Sequence, residues 1–294
     1  ETGLTPSVSE WSMQSEPASG RMLANAVTMD DTYGLVISGA HDQKLHIYEK
    51  SNGALDNEIE VSIGEGPINC VRIAHHPGYE AQAFVACYDG PIARVDRTGK
   101  ILSLIRVHEG AVKALRLHPV KTLGVSCSAD GALLSWDFEG NLLSQFPGHT
   151  AIVDDVDIDP SGEMITSVSR DFTVNVYRLE DAKLLQSLEL GRRSPKAVCF
   201  LDPKTVIVTN YWGSLLRIDL ESGSITHRDI AENGISSIAR CGEYLVAVSY
   251  DGVAYLVQSD DLSVKNCLRN MVQRLQPSRL IRPEIAIDSV STSS

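Results

Sequence analysis

Short apolar runs recur along the chain, and each one stops at a turn. Gly34-Leu35-Val36-Ile37-Ser38, Thr205-Val206-Ile207-Val208-Thr209 and Tyr244-Leu245-Val246-Ala247-Val248 are three of them. Their shortness, β-branched composition and flanking period-two alternation predict strands rather than helices. The turn residue that follows each run and anchors its unit is, in order, Asp42, Asp89, Asp130, Asp171, Trp212 and Asp251. Asp-Gly at 89–90, 130–131 and 251–252 is a strong hairpin signal, because glycine takes positive φ without a Cβ clash and aspartate accepts nearby backbone N–H groups. These anchors stand 47, 41, 41, 41 and 39 residues apart, a mean of 41.8. Such a period marks a repeat architecture.

Each unit carries a strand before the apolar run, at 67–73, 111–117, 152–158, 195–200 and 235–240, and another after the hairpin, as at 142–146 and 183–188. Four short strands per unit make a propeller blade. The expectation is therefore an all-β fold: a single β-propeller of four-stranded antiparallel blades, one domain over 1–294, with clear blades in 22–267. Residues 1–21 and 268–294 together hold about one more period. Segments 7–13, 272–275, 279–282 and 285–290 read as strands of a closing blade, which would pair the N- and C-terminal strands and remove open edges. That arithmetic predicts seven blades; six with loose termini is the alternative.

The fourth unit reads Gly148-His149, Asp159-Pro160-Ser161-Gly162, Ser167-Val168-Ser169-Arg170-Asp171 and Val174-Asn175-Val176-Tyr177, and the third closes its strand with Trp136-Asp137. This pattern resembles the WD-repeat (WD40) β-propeller family. The resemblance implies a buried hydrogen-bonded network in each such blade, carried here by His149, Ser167 or Ser169, Asp171 and Tyr177, and in the third unit by His108, Asp130 and Trp136. The first, second, fifth and sixth units have no Gly-His, and Trp212 replaces the turn aspartate of the fifth. Apolar packing is expected to hold those blades.

Composition narrows the function. The chain has 294 residues, 43% apolar, with 26 Lys and Arg against 38 Asp and Glu and a net charge of −12. No general attraction to nucleic acid or anionic lipid follows from that balance. No apolar stretch approaches the roughly 20 residues of a membrane span. Six cysteines without a C-x-x-C pair, and no Asn-x-Ser/Thr acceptor, predict buried free thiols in a reducing compartment, cytoplasmic or otherwise intracellular. No nucleophile elbow, zinc-protease motif, phosphate loop or dinucleotide fingerprint occurs, so no catalytic residues, metal or cofactor are expected. His75-His76 read as solvated turn histidines. The run Asp154, Asp155, Asp157 and Asp159 reads as a strand with a solvated face rather than a cation site.

Binding is the better expectation. The residues just before the anchors are His41, Tyr88, Ala129, Arg170, Tyr211 and Tyr250, with Trp212 next to the fifth. Repeat equivalence puts them on one face, and Tyr, Trp and Arg dominate interface hot spots. Arg192 and Arg193, in the loop entering the fifth unit, would join Arg170 in a basic spot suited to an acidic or phosphorylated peptide. The predicted function is a non-catalytic protein–protein interaction scaffold and component of a larger complex, binding a protein or peptide there. The alternatives are a ligand-sensing propeller domain of a larger enzyme or immune-type receptor, and a propeller enzyme or sugar binder.

Overall fold

The computed structural model describes residues 24–51, 54–191, 193–270 and 285–288. Every regular element among them is a strand. The strands form six antiparallel sheets in which neighbours in sequence are neighbours in space. Blade 1 spans 24–62, blade 2 68–105, blade 3 112–146, blade 4 153–189, blade 5 195–229 and blade 6 235–270. The first strand of each blade lies beside the first strand of the next, from blade 1 through blade 6, so these strands form the inner rim.

Blade 3 shows how pattern becomes packing. Its second strand, Leu123–Ser128, is buried at every position but the first, while its outermost strand, Leu142–Phe146, is mostly exposed. A middle strand is apolar on both faces because each face meets another blade. Between blades 2 and 3, Trp136, Phe84 and Phe138 are at most 1% exposed, with the Phe84 and Phe138 rings 4.5 Å apart. Gly124, opposite Trp136 in the ladder, leaves no room for a β-carbon beneath the indole. Each such side chain contributes about 1.5–3 kcal/mol through burial alone.

Five apolar clusters fill the five seams from blade 1/2 to blade 5/6. Among the described residues, no cluster joins blade 6 to blade 1. Val27 and Met29 on that side of blade 1 are 67% and 58% exposed, and Val248 on that side of blade 6 is 42% exposed.

Among the described residues the blade count is therefore six, the alternative, and not the expected seven. The closing strands expected at 7–13, 272–275 and 279–282 lie outside the described residues. The part of 268–294 that is described extends blade 6: Val264–Asn270 is its fourth strand, and Ile285–Asp288 adds a fifth along that strand's free edge. An unpaired edge of N–H and C=O groups is a ready template for one more strand.

Candidate functional site

One irregularity repeats in all six blades. The ladder between the first and second strands slips near its start, between Ala24 and Ala26, Ile68 and Cys70, Val112 and Ala114, Val153 and Asp155, Pro195 and Val198, and Ile235 and Ser237. A bulge of this kind re-aims the side chain of the extra residue. The bulge residues are Asn25, Asn69, Lys113, Asp154, Lys196 and Ser236, so polar groups stand around the inner rim at one end of the ring.

The residues preceding the anchors lie at the same end. The N–H groups of Tyr88, Ala129, Arg170, Tyr211 and Tyr250 donate to the carbonyls of Pro67, Ala111, Ile152, Ser194 and Gly234, each just ahead of an innermost strand. A cluster forms where blades 3 to 6 meet. The Asp154 carboxylate is fully enclosed, accepting from Arg170 Nε at 2.9 Å and Lys196 Nζ at 2.9 Å. Burial alone would raise its pKa, but the two cations outweigh burial and hold it below the ordinary range. The Lys196 ammonium lies 5.8 Å from the Tyr211 ring centroid, within cation–π range. Tyr211 in turn stacks on Tyr250 at 6.3 Å. Lys113 completes the group: burial first, then Lys196 and Arg170, push its pKa down against the pull of Asp154.

Of the residues expected on this face, Arg170, Tyr211 and Tyr250 are thus brought together. His41, Tyr88 at 54% exposure, and Trp212 at 59% stand exposed on their own blades. Arg193 is exposed in its loop, and Arg192 lies outside the described residues. Sequence reasoning missed Lys113, Asp154 as a pairing group, and Lys196. Their signal was one polar residue at the start of each innermost strand, legible once the bulge is known.

Two expectations are corrected. The acidic run is not a solvated face: Asp154, Asp155 and Asp159 are 5%, 8% and 1% exposed. Asp155 and Asp157 accept the Val198 and Phe200 N–H groups of blade 5 and pair with Arg116 of blade 3, thereby tying three blades together. Asp159 caps its own turn through the Ser161, Glu163 and Met164 N–H groups. Nor are the paired histidines both solvated: His76, 6% exposed, bonds the His118 carbonyl at 2.8 Å, and His75 stacks on Tyr33 and pairs with Asp30 at 2.5 Å. Cys70, Cys87, Cys127 and Cys199 are buried free thiols, with burial pushing Cys87 up to about 12; Cys241 is exposed and Cys267 half-buried.

Blades 3 and 4 hold a relay of side chains. Trp136 Nε1–H donates to Ser126 Oγ at 2.9 Å, that hydroxyl meets His108 Nε2 at 2.8 Å, and His108 Nδ1 meets Asp130 at 3.2 Å. In blade 4, Ser167 meets His149 Nε2 at 2.7 Å and His149 Nδ1 meets Asp171 at 3.0 Å, with Tyr177 bonded to Ser167 and Asn175. A carboxylate only accepts, so Nδ1 carries the proton and Nε2 accepts from serine. Ser126 and Ser167 fill the serine position. Ser169 instead supports the turn, accepting from Asp171 N–H and donating to the Ala151 carbonyl.

The family model falls on the segments that build these two blades. The family model described as WD domain, G-beta repeat matches residues 99–137 and 140–178. The chain is 31% identical over 121 residues to nuclear distribution protein nudF 1 of Talaromyces marneffei, covering 40% of this chain and 26% of that protein. It is 35% identical over 75 residues to the Lissencephaly-1 homolog of Caenorhabditis briggsae, covering 25% and 18%. WD repeat-containing protein SL1-17 of Schistosoma mansoni is 24% identical over 188 residues, covering 63% and 58%. The matches thus span from under a fifth to under two thirds of these relatives' lengths. Repeat spacing, four-stranded blades, the His–Ser–Asp relay and the matched segments agree: residues 99–137 and 140–178 are two WD repeats, and the chain is similar to WD-repeat proteins.

Proposed function

We propose that this propeller is a non-catalytic interaction scaffold, a component of a larger complex inside the cell, that captures a protein or peptide on the face bearing Tyr88, Arg170, Tyr211, Trp212 and Tyr250. The Tyr211–Tyr250 stack beside the Arg170–Asp154–Lys196 group carries the reading. It joins exposed aromatic area to fixed cations, the composition of an interface hot spot. A tyrosine pair costs little side-chain entropy on binding, and arginine recognises acidic or phosphorylated groups through its fork. The ligand-sensing domain of a larger enzyme or receptor remains the second reading, since the chain matches only parts of its relatives.

The test is a pull-down from the native source with the wild-type chain and the Tyr211→Ala/Tyr250→Ala double variant. Bound proteins should be lost with the variant while its melting temperature stays within about 2 °C of wild type, as expected for surface substitutions. A variant that melts normally and keeps every bound protein overturns the reading.

A further inference from the structure

The inner rim holds more positive charge than its carboxylate can balance. Lys113, Arg170 and Lys196 are electrostatically coupled around Asp154, three cations on one anion. Asp154 spends both oxygens on Arg170 and Lys196. Among the described residues, the Lys113 ammonium makes no hydrogen bond or ion pair, although it is half-buried and flanked by two like charges. Folding a lysine into that position costs stability unless something else meets its charge.

Resting on the binding face proposed above, we propose that Lys113, Arg170 and Lys196 take up a phosphoryl dianion at the bulge ring, with the Tyr211–Tyr250 stack supporting its carrier. The residual charge of the cluster is two, so a carboxylate would leave half of it unmet. A phosphoryl group carries about −1.5 to −2 at neutral pH and offers three acceptor oxygens. Lysine supplies three donors and arginine a planar fork, which fits those oxygens. The chain's overall net charge of −12 repels extended polyanions, which favours a small phosphoryl group over nucleic acid.

The experiment titrates the full chain with inorganic phosphate or acetate at fixed ionic strength, by calorimetry. Phosphate should bind at least about tenfold more tightly than acetate. Lys113→Met should weaken phosphate binding about tenfold or more, Lys113→Arg should retain it, and the distant surface change Lys121→Met should leave it unaltered. Lys113→Met removes a repelled charge, so its melting temperature in phosphate-free buffer should not fall. Equal phosphate affinity for wild type and Lys113→Met, or equal binding of acetate and phosphate, overturns the proposal. A glycine–serine peptide with and without one phosphoserine identifies the carrier. Tighter binding than free phosphate, lost in the tyrosine double variant, assigns a phosphopeptide; equal affinity assigns a small phosphorylated molecule. Phosphate binding that survives while partner capture is insensitive to the tyrosines removes the scaffold reading alone, and the reverse result removes this one alone.

Discussion

Val71 and Val27 hold the same place in neighbouring blades. Val71 pairs with Val85 and Val27 with Ser38 across equivalent ladders, yet Val71 is fully buried and Val27 is 67% exposed. The difference lies in the next blade, since blade 1 has no described neighbour on that side. A blade buries little by itself and becomes a core only when another sheet covers it. The side chains follow suit. Where blade 2 places Val85, Ala93 and Val95 against blade 1, blade 1 places Ser38, His46 and Tyr48 toward the open side. The covered seams should therefore carry the stability, most of all blade 2/3. Trp136→Ala, which removes the indole from both the Phe84–Phe138 cluster and the Ser126 bond, should cost about 3–5 kcal/mol in urea unfolding. A loss below about 1.5 kcal/mol would show that this seam does not dominate.

The relay blades sharpen the contrast at a smaller scale. His149→Ala leaves Ser167 and Asp171 without their partner and should cost about 1–3 kcal/mol. In blade 1, His46 and Tyr48 instead meet Glu58, which is about half exposed, so Glu58→Gln should cost under about 1 kcal/mol.

The relay also sets a pH dependence. Burial pushes the His149 pKa below its ordinary 6.5 despite Asp171. Burial would raise the Asp130 and Asp171 carboxyls, but their hydrogen bonds win, from His108 and the Ala132 N–H in one case and Thr173 and the Thr150 N–H in the other, and hold both below 3.8. Each group has its pKa depressed by folding, so the unfolded chain takes up protons first. The stability they supply is complete above the unfolded values and is lost as pH falls, beginning below about 6.5 for His149 and below about 4 for the aspartates. The urea midpoint should fall from pH 7.5 to 5.5 and again toward 4, with the first step shallower in His149→Ala. A midpoint that rises between 7.5 and 5.5 would mean a charged His149.

The repeat was legible because its turn chemistry is. Asp-Gly marks three blades, and the position after the anchor is left-handed in all six, including Gln43 at φ 70° and Phe172 at φ 71°, where no glycine announces it. The relay in blade 4 was readable from His149, Asp171 and Tyr177, but Ser126 in blade 3 was not, because serine in a buried strand carries no distinctive signal. Tyr211 and Tyr250 were found through repeat equivalence. Lys113 and Lys196 were not, since a bulge is a slip between two strands and leaves no mark in either strand alone. The acidic run misled for a related reason: alternation places side chains on faces but says nothing of the N–H groups that blade 5 offers to Asp155 and Asp157.

The open seam gives the smallest expected effect and the finest test. Val71→Ala removes methyl groups from a packed site and should cost about 2 kcal/mol. Val27→Ala, at the equivalent but exposed position, should cost under about 0.5 kcal/mol. The same pair measured at a single urea midpoint isolates the covering blade, because sequence position, ladder pairing and residue type are held constant. Two comparable losses would mean that Val27 is covered in solution, which requires a further sheet between blades 6 and 1 and returns the count to seven. Only unequal losses are consistent with six blades in which Ser38, His46 and Tyr48 lie on the side of blade 1 away from blade 2, where no described blade packs against them.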